Sequence, residues 1–193
     1  MKLFMTLAAC AVCTAFVPSA GAAEDMLPDC SAERVGLQCV ERREVLGPWQ
    51  LEEVLPAVGS QNSLLLSSPS FQPVPGLFGR EESATLVLSC VDNTTRFEVR
   101  FGENFVSDVN EFGVLVYKID DQAPVALSAT ASEDNTALGL YIGAEAIPLI
   151  RSLFGGERLL VSATSFTGRP LNASFSIEDV EAAVESLRNL CNW

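Results

Sequence analysis

The chain has 193 residues, 12 basic and 25 acidic side chains, a formal charge of −13 at neutral pH and no histidine. So acidic a surface is repelled by nucleic acid and by anionic membranes. The missing imidazole removes Ser-His-Asp and Cys-His catalysis, histidine-based zinc sites and the usual general base near neutral pH.

Lys2 is followed by an apolar run from Leu3 to Val17, then by Pro18 and the small residues Ser19, Ala20, Gly21, Ala22 and Ala23, the layout of a secretory signal peptide. Ala20 and Ala22 fit an A-x-A cleavage site, so residues 1–22 are expected to be removed. An alternative cut after Leu7-Ala8-Ala9 has the form of a lipoprotein site and leaves an acylated Cys10. The apolar core ahead of that cut falls at the low end of the ~7 to 15 residues a signal requires. No later segment approaches the ~18 to 20 consecutive apolar residues that span a bilayer. The mature protein is therefore expected in the periplasm or secreted, and not integral to the membrane.

Cleavage removes Cys10 and Cys13 and leaves Cys30, Cys39, Cys90 and Cys191. An even count in an oxidising compartment predicts two disulfides, although four cysteines allow three connectivities. None of the four has the close C-x-x-C partner of a zinc site, and no metal or cofactor is expected.

Residues 23–48, with Cys30, Cys39 and Pro28 among charges, read as a poorly regular segment stapled on itself. Residues 49–193 read as one β-rich domain. Trp49, Leu51 and Val54, then Leu64 to Leu66, suggest one or two early strands. Ser67 to Ser83 reads as a loop, because Pro69, Pro73 and Pro75 forbid regular pairing while Phe71, Leu77 and Phe78 supply apolar bulk. Strand signals then become regular. Leu86, Leu88 and Cys90 alternate on one face, Asp92-Asn93-Thr94 offers a turn, and Phe97, Val99 and Phe101 alternate with Arg96, Glu98 and Arg100, which marks an antiparallel sheet with one wet face. Further β runs lie at Val114 to Ile119, Val125 to Ala131, Leu138 to Ile142, Leu159 to Phe166 and Leu171 to Phe175.

Two helices complete the pattern. The first is expected from about Ile147 to Phe154, with Pro148 in its first turn and Gly155 as its stop. The second is expected from Ile177 to about Leu190, with Ser176 and Asp179 resembling a capping box and Ile177, Val180, Val184, Leu187 and Cys191 on one apolar stripe. Cys191 ends that stripe and Cys90 lies on the apolar side of its strand, so these two are expected to pair. That leaves Cys30 with Cys39. The fold class is mainly β, an antiparallel β-sandwich or curled sheet with two short helices, the C-terminal one packed on the sheet.

Chemistry that survives without histidine is carboxylate chemistry or a Ser-Lys pair. A paired-carboxylate hydrolase of the cell envelope would draw on Asp120, Asp121, Glu133 and Asp134, with Lys118 or Arg151 converging on them. Yet Asp120-Asp121 precedes Gln122-Ala123-Pro124, a turn sequence, and Ser132-Glu133-Asp134-Asn135 lies between two strands. Asp and Asn favour such turns because they bond their own backbone.

Several stretches together resemble the VasI/TagO family of type VI secretion-associated proteins of Gram-negative bacteria. They are Leu86-Val87-Leu88-Ser89-Cys90 with Asn93 and Thr95, Tyr117-Lys118-Ile119-Asp120, Ser132 with Asp134, Ala146-Ile147-Pro148-Leu149-Ile150, Arg158-Leu159-Leu160-Val161, Ala173-Ser174-Phe175, and Leu187-Arg188-Asn189-Leu190-Cys191-Asn192-Trp193. The likeness spans about residues 84–193, and this chain has Ser89 and Lys118 where the family carries arginine. The resemblance implies an exported accessory protein of a non-enzymatic class and names no partner. A protein partner in the cell envelope is expected, with Phe71, Leu77 and Phe78 as contacts, since loops longer than ~12 to 15 residues are usually functional or disordered; the alternative is that these side chains fold back as a lid on the sheet.

Overall fold

A computed structural model describes residues 29–30, 38–56, 62–76 and 79–193. The architecture is mostly β, with antiparallel sheets that do not close and short helices. Thirteen strands are described: β1 Cys39–Leu46, β2 Trp49–Leu55, β3 Ser63–Pro69, β4 Val74–Pro75, β5 Glu81–Glu82, β6 Thr85–Val91, β7 Thr94–Arg100, β8 Val114–Ile119, β9 Val125–Ser128, β10 Thr130–Ala131, β11 Ala137–Leu140, β12 Arg158–Thr164 and β13 Pro170–Ser176. A large sheet runs β1-β2-β3-β6-β7-β11-β10 and a small one runs β13-β12-β8-β9, while β4 and β5 form a short ribbon.

The large sheet is organised around the β6–β7 hairpin. Its two-residue turn, Asp92 and Asn93, has φ of 51° and 56° at the two positions, the backbone that matches the right-handed twist of the flanking strands. Along β7 the side chains alternate between half-buried and buried, with Phe97 and Val99 fully inside and Arg96, Glu98 and Arg100 facing out. In β12 the same period places Leu159 and Val161 inside and leaves Leu160 exposed. The two inner faces and the helices share one apolar cluster. Trp49, Leu51, Leu88 and Phe97 enter it from the large sheet, Leu115, Leu159 and Phe175 from the small one, and Ile150, Val184 and Leu187 from the helices.

The sheets meet at one corner. Ser70 bridges Phe175 at the end of β3, the Phe71 N–H donates to the Ser174 carbonyl at 2.9 Å, and the Ser68 hydroxyl donates to the Ser176 carbonyl at 3.3 Å. On the far side a single residue, Ala129, separates β9 of the small sheet from β10 of the large one.

Several boundaries differ from the expectation. The segment before Trp49 is not irregular throughout, because β1 pairs with β2 from Cys39 to Leu46. Glu41 to Glu44 hide this strand from an alternation reading: an edge strand exposed on both faces shows no period of two. The stretch expected as a loop from Ser67 starts inside β3 and contains the β4–β5 ribbon. The first helix, α1, runs Gly143–Ser152, so Pro148 lies in its interior. Its ring denies the Ala144 carbonyl a helical donor.

The second expected helix is two pieces, α2 Val180–Ala183 and α3 Glu185–Cys191. Asp179 caps no backbone and takes a left-handed φ of 55°, so the capping box does not form. The cause is long-range. The Trp49 indole N–H donates to the Glu178 carbonyl at 2.9 Å and the Ile177 N–H donates to the Glu157 carbonyl at 3.0 Å, which hold residues 177–179 as a connector. Cys90 is bonded to Cys191, tying α3 to β6, and Cys30 is bonded to Cys39.

Candidate binding surface

The outer face of the small sheet carries a shallow groove of about 350 Å³. Alternation along three strands builds it. Val116 and Lys118 of β8, Leu160 of β12 and Asn172 and Ser174 of β13 all line it, and the register sets Leu160 beside both Lys118 and Ser174. Leu160 is 41% exposed, unusual for a leucine in the middle of a strand with a charged neighbour available to cover it. Lys118 is the one charged side chain lining the groove.

Phe71 stands beside this face. Its backbone is held by the bond to Ser174, its ring is 57% exposed, and the Arg158 guanidinium lies 5.4 Å from the ring centroid. Phe71 is thus not folded into the core, and its neighbour Gln72 lines the groove. Leu77 and Phe78 lie outside the described residues. A second exposed apolar feature escaped the sequence reading. Phe105 and Phe166 meet edge-to-face at 5.5 Å, and Phe112 lies 5.6 Å from Phe166. These aromatics come from loops about 60 positions apart and have no periodic signal. The Phe166 N–H bond to the Phe105 carbonyl, 2.9 Å, brings them together.

The carboxylates considered for catalysis divide between two turns, Asp120 and Asp121 after β8 on the small sheet and Glu133 with Asp134 between β10 and β11 on the large one. Asp120, at the end of β8, accepts the Arg158 N–H at 2.8 Å and the Glu157 N–H at 3.2 and 3.3 Å, fastening the β8–β9 turn to the start of β12. Asp134 sits on the large sheet, in the β10–β11 turn. It accepts the Ser132 hydroxyl at 2.5 Å, the Thr136 N–H at 3.2 Å and Arg100 Nη1 at 3.1 Å. Asp121 is exposed. Arg151 stacks over the Trp193 ring at 5.3 Å, on α1, leaving Lys118 alone in the groove. No cluster of three metal-ligating side chains occurs among the described residues.

The Ser132 hydroxyl, followed by the Thr136 backbone and Arg100, holds the Asp134 carboxyl far below the usual carboxylate range against the opposing effect of partial burial. A carboxyl depressed on folding stabilises the protein above its unfolded pKa and loses that contribution as pH falls toward the folded one. Asp134→Asn is therefore expected to lower the urea midpoint at pH 6, with the difference from the unaltered protein shrinking as pH falls below about 4. An undiminished difference at pH 2.5 would show that the carboxyl's charge is irrelevant to the turn.

Tyr141 lies just past β11, and its hydroxyl donates to Glu98 Oε2 at 2.9 Å. Burial and then the Glu98 charge push the phenol well above its usual range, so Tyr141 remains a donor at any physiological pH.

No helix of the described residues is long and apolar enough to cross a membrane. The family described as type VI secretion system VasI, EvfG matches residues 33–193. Among curated proteins there is no match. Among solved structures, the crystal structure of invasion associated protein B from Bartonella henselae is similar at a TM-score of 0.50 and 12% identity, covering 79% of this chain and 100% of that one. At that identity the likeness concerns the fold alone.

Proposed function

The chain belongs to the VasI family of type VI secretion system proteins, and from that membership we propose that it is an exported, non-catalytic accessory protein that works by gripping a partner in the groove of its small sheet. The observation that carries the proposal is the outward Leu160, flanked by Val116 and Lys118 and bordered by Phe71. A strand-centred leucine left uncovered costs apolar exposure that a partner relieves, at about 25 cal/mol per Å² buried.

The occupant is an extended protein segment presenting apolar side chains and a carboxylate. Charge argues for the carboxylate: in a chain of −13, this face offers Lys118 in the groove and Arg158 over Phe71. Phe71 supplies an apolar contact at the rim, and Leu77 and Phe78 are proposed as further apolar contacts from the same segment of sequence. Residues 1–22 direct export, and the mature protein meets its partner in the periplasm or outside the cell. Catalysis has little to build on, since the chain has no histidine, its four mature cysteines are bonded, and Asp120 and Asp134 serve separate turns.

A photo-activated cross-linking residue in place of Leu160 tests the reading in the native envelope. The expected result is one discrete adduct containing a type VI secretion component, absent when the same residue replaces Glu181 on α2, which is also exposed. Equal adducts from both positions, or none from Leu160, would remove the groove as the contact surface.

A further inference from the structure

The outer face of the large sheet holds a second hollow, of about 510 Å³, within the roughly 300–1,000 Å³ range of small-ligand pockets. Arg96, Glu98 and Arg100 of β7, Glu133 and Asp134 of the β10–β11 turn, and Tyr141 line it. Gly139 of β11 pairs with Glu98 across the sheet. A Cβ at Gly139 would lie 2.4 Å from the Phe97 carbonyl oxygen and 2.8 Å from the Glu98 Cβ. Only glycine lets Glu98 keep its place under the hollow.

Most of the charges here are already answered. Arg100 donates to Glu98 at 2.9 Å and to Asp134 at 3.1 Å, and Tyr141 donates to the second Glu98 oxygen at 2.9 Å. Arg96 and Glu133 are different. Neither side chain has a hydrogen bond or ion pair to any described residue, nor do they pair with each other. The Arg96 Nε is buried without an acceptor, a costly state for a donor in a charged group. Two unpaired charges of opposite sign thus line one hollow.

We propose that this hollow binds a small zwitterion of the amino-acid or short-peptide class, with its carboxylate on the Arg96 guanidinium and its ammonium toward Glu133. The planar guanidinium fork suits a carboxylate, which it can bind through two parallel N–H bonds. A pure anion is disfavoured, because Glu98, Glu133 and Asp134 outnumber the two arginines among the lining groups. A pure cation leaves the Arg96 guanidinium without a counter-charge. A zwitterion satisfies both ends. The site is independent of the groove on the small sheet.

Calorimetry and side-chain NMR on the mature protein, with L-alanyl-L-alanine, its N-acetyl form and its C-terminal amide as probes, test the assignment. The free dipeptide is expected to bind saturably and shift the Arg96 Nε–H resonance, and each blocked form to bind at least tenfold more weakly. Arg96→Gln should erase the preference for the free carboxyl over the amide while keeping that for the free amine. Glu133→Gln should do the reverse. The proposal is overturned if the dipeptide does not saturate, if the blocked forms bind the unaltered protein equally well, or if both substitutions weaken all three probes alike.

Discussion

Replacing Cys90 and Cys191 together by alanine is expected to lower the unfolding free energy of the mature protein by about 3 to 4 kcal/mol. The bond closes a loop of sequence separation 101, for which the chain-entropy model gives about 4.7 kcal/mol as an upper figure. Both cysteines are buried, on β6 and at the end of α3, so alanine avoids placing a hydroxyl in the apolar cluster. The Cys30–Cys39 bond spans a separation of 9, and its removal should cost about 2.5 kcal/mol or less on the same model. Urea unfolding of the two double variants at neutral pH compares them directly. A larger loss from the Cys30–Cys39 pair would mean that α3 stays on the sheet without its tether.

An effect at least as large is expected at Trp49. Its side chain is fully buried, and its indole N–H reaches the Glu178 carbonyl across 129 positions of sequence. Trp49→Ala should cost about 3 to 5 kcal/mol through the cavity alone. Trp49→Phe preserves most of the burial but strands the Glu178 carbonyl, and should cost about 1 to 3 kcal/mol. Because this bond holds the connector before α2, the phenylalanine variant is also expected to speed amide exchange in residues 177–183. Unchanged exchange there would show that the helix break is encoded locally after all.

The sequence was most readable where one residue and its neighbours decide the structure. Phe97 and Val99 alternating with charges identified β7, and Asp92-Asn93 marked its turn. The mainly β class follows from several such runs. What stayed hidden depends on residues far apart. Glu41 to Glu44 cover an edge strand whose partner, β2, is the only sign that it is one. The divided C-terminal helix follows from Trp49 and Glu157, neither of which is near it in sequence.

The sites show the same division. Leu159, Leu160 and Val161 are all apolar, and only the register with Lys118 and Ser174 shows that Leu160 faces out. Phe71 could be picked out as apolar bulk among prolines, but its place beside the groove rests on the bond to Ser174. Asp120 and Asp134 read as turn residues from their neighbours, and each is committed to backbone N–H groups. Arg96 gave no sequence signal beyond facing the wet side of β7. Its unpaired state is visible only in the folded chain, where Arg100 bonds Glu98 and Asp134.

The central claim is that the protein acts by contact at the small sheet and not by catalysis at its acids. The most direct test is recovery of type VI secretion components cross-linked to the mature protein in its native envelope, comparing the double variant Phe71→Ser with Leu160→Asp against Asp134→Asn. Phe71 and Leu160 are both exposed, so the double variant should keep a melting midpoint close to that of the unaltered protein. It is predicted to lose the cross-linked component, because a charge now occupies the apolar centre of the groove, while Asp134→Asn retains it. Retention by the groove variant together with loss by Asp134→Asn would contradict the account.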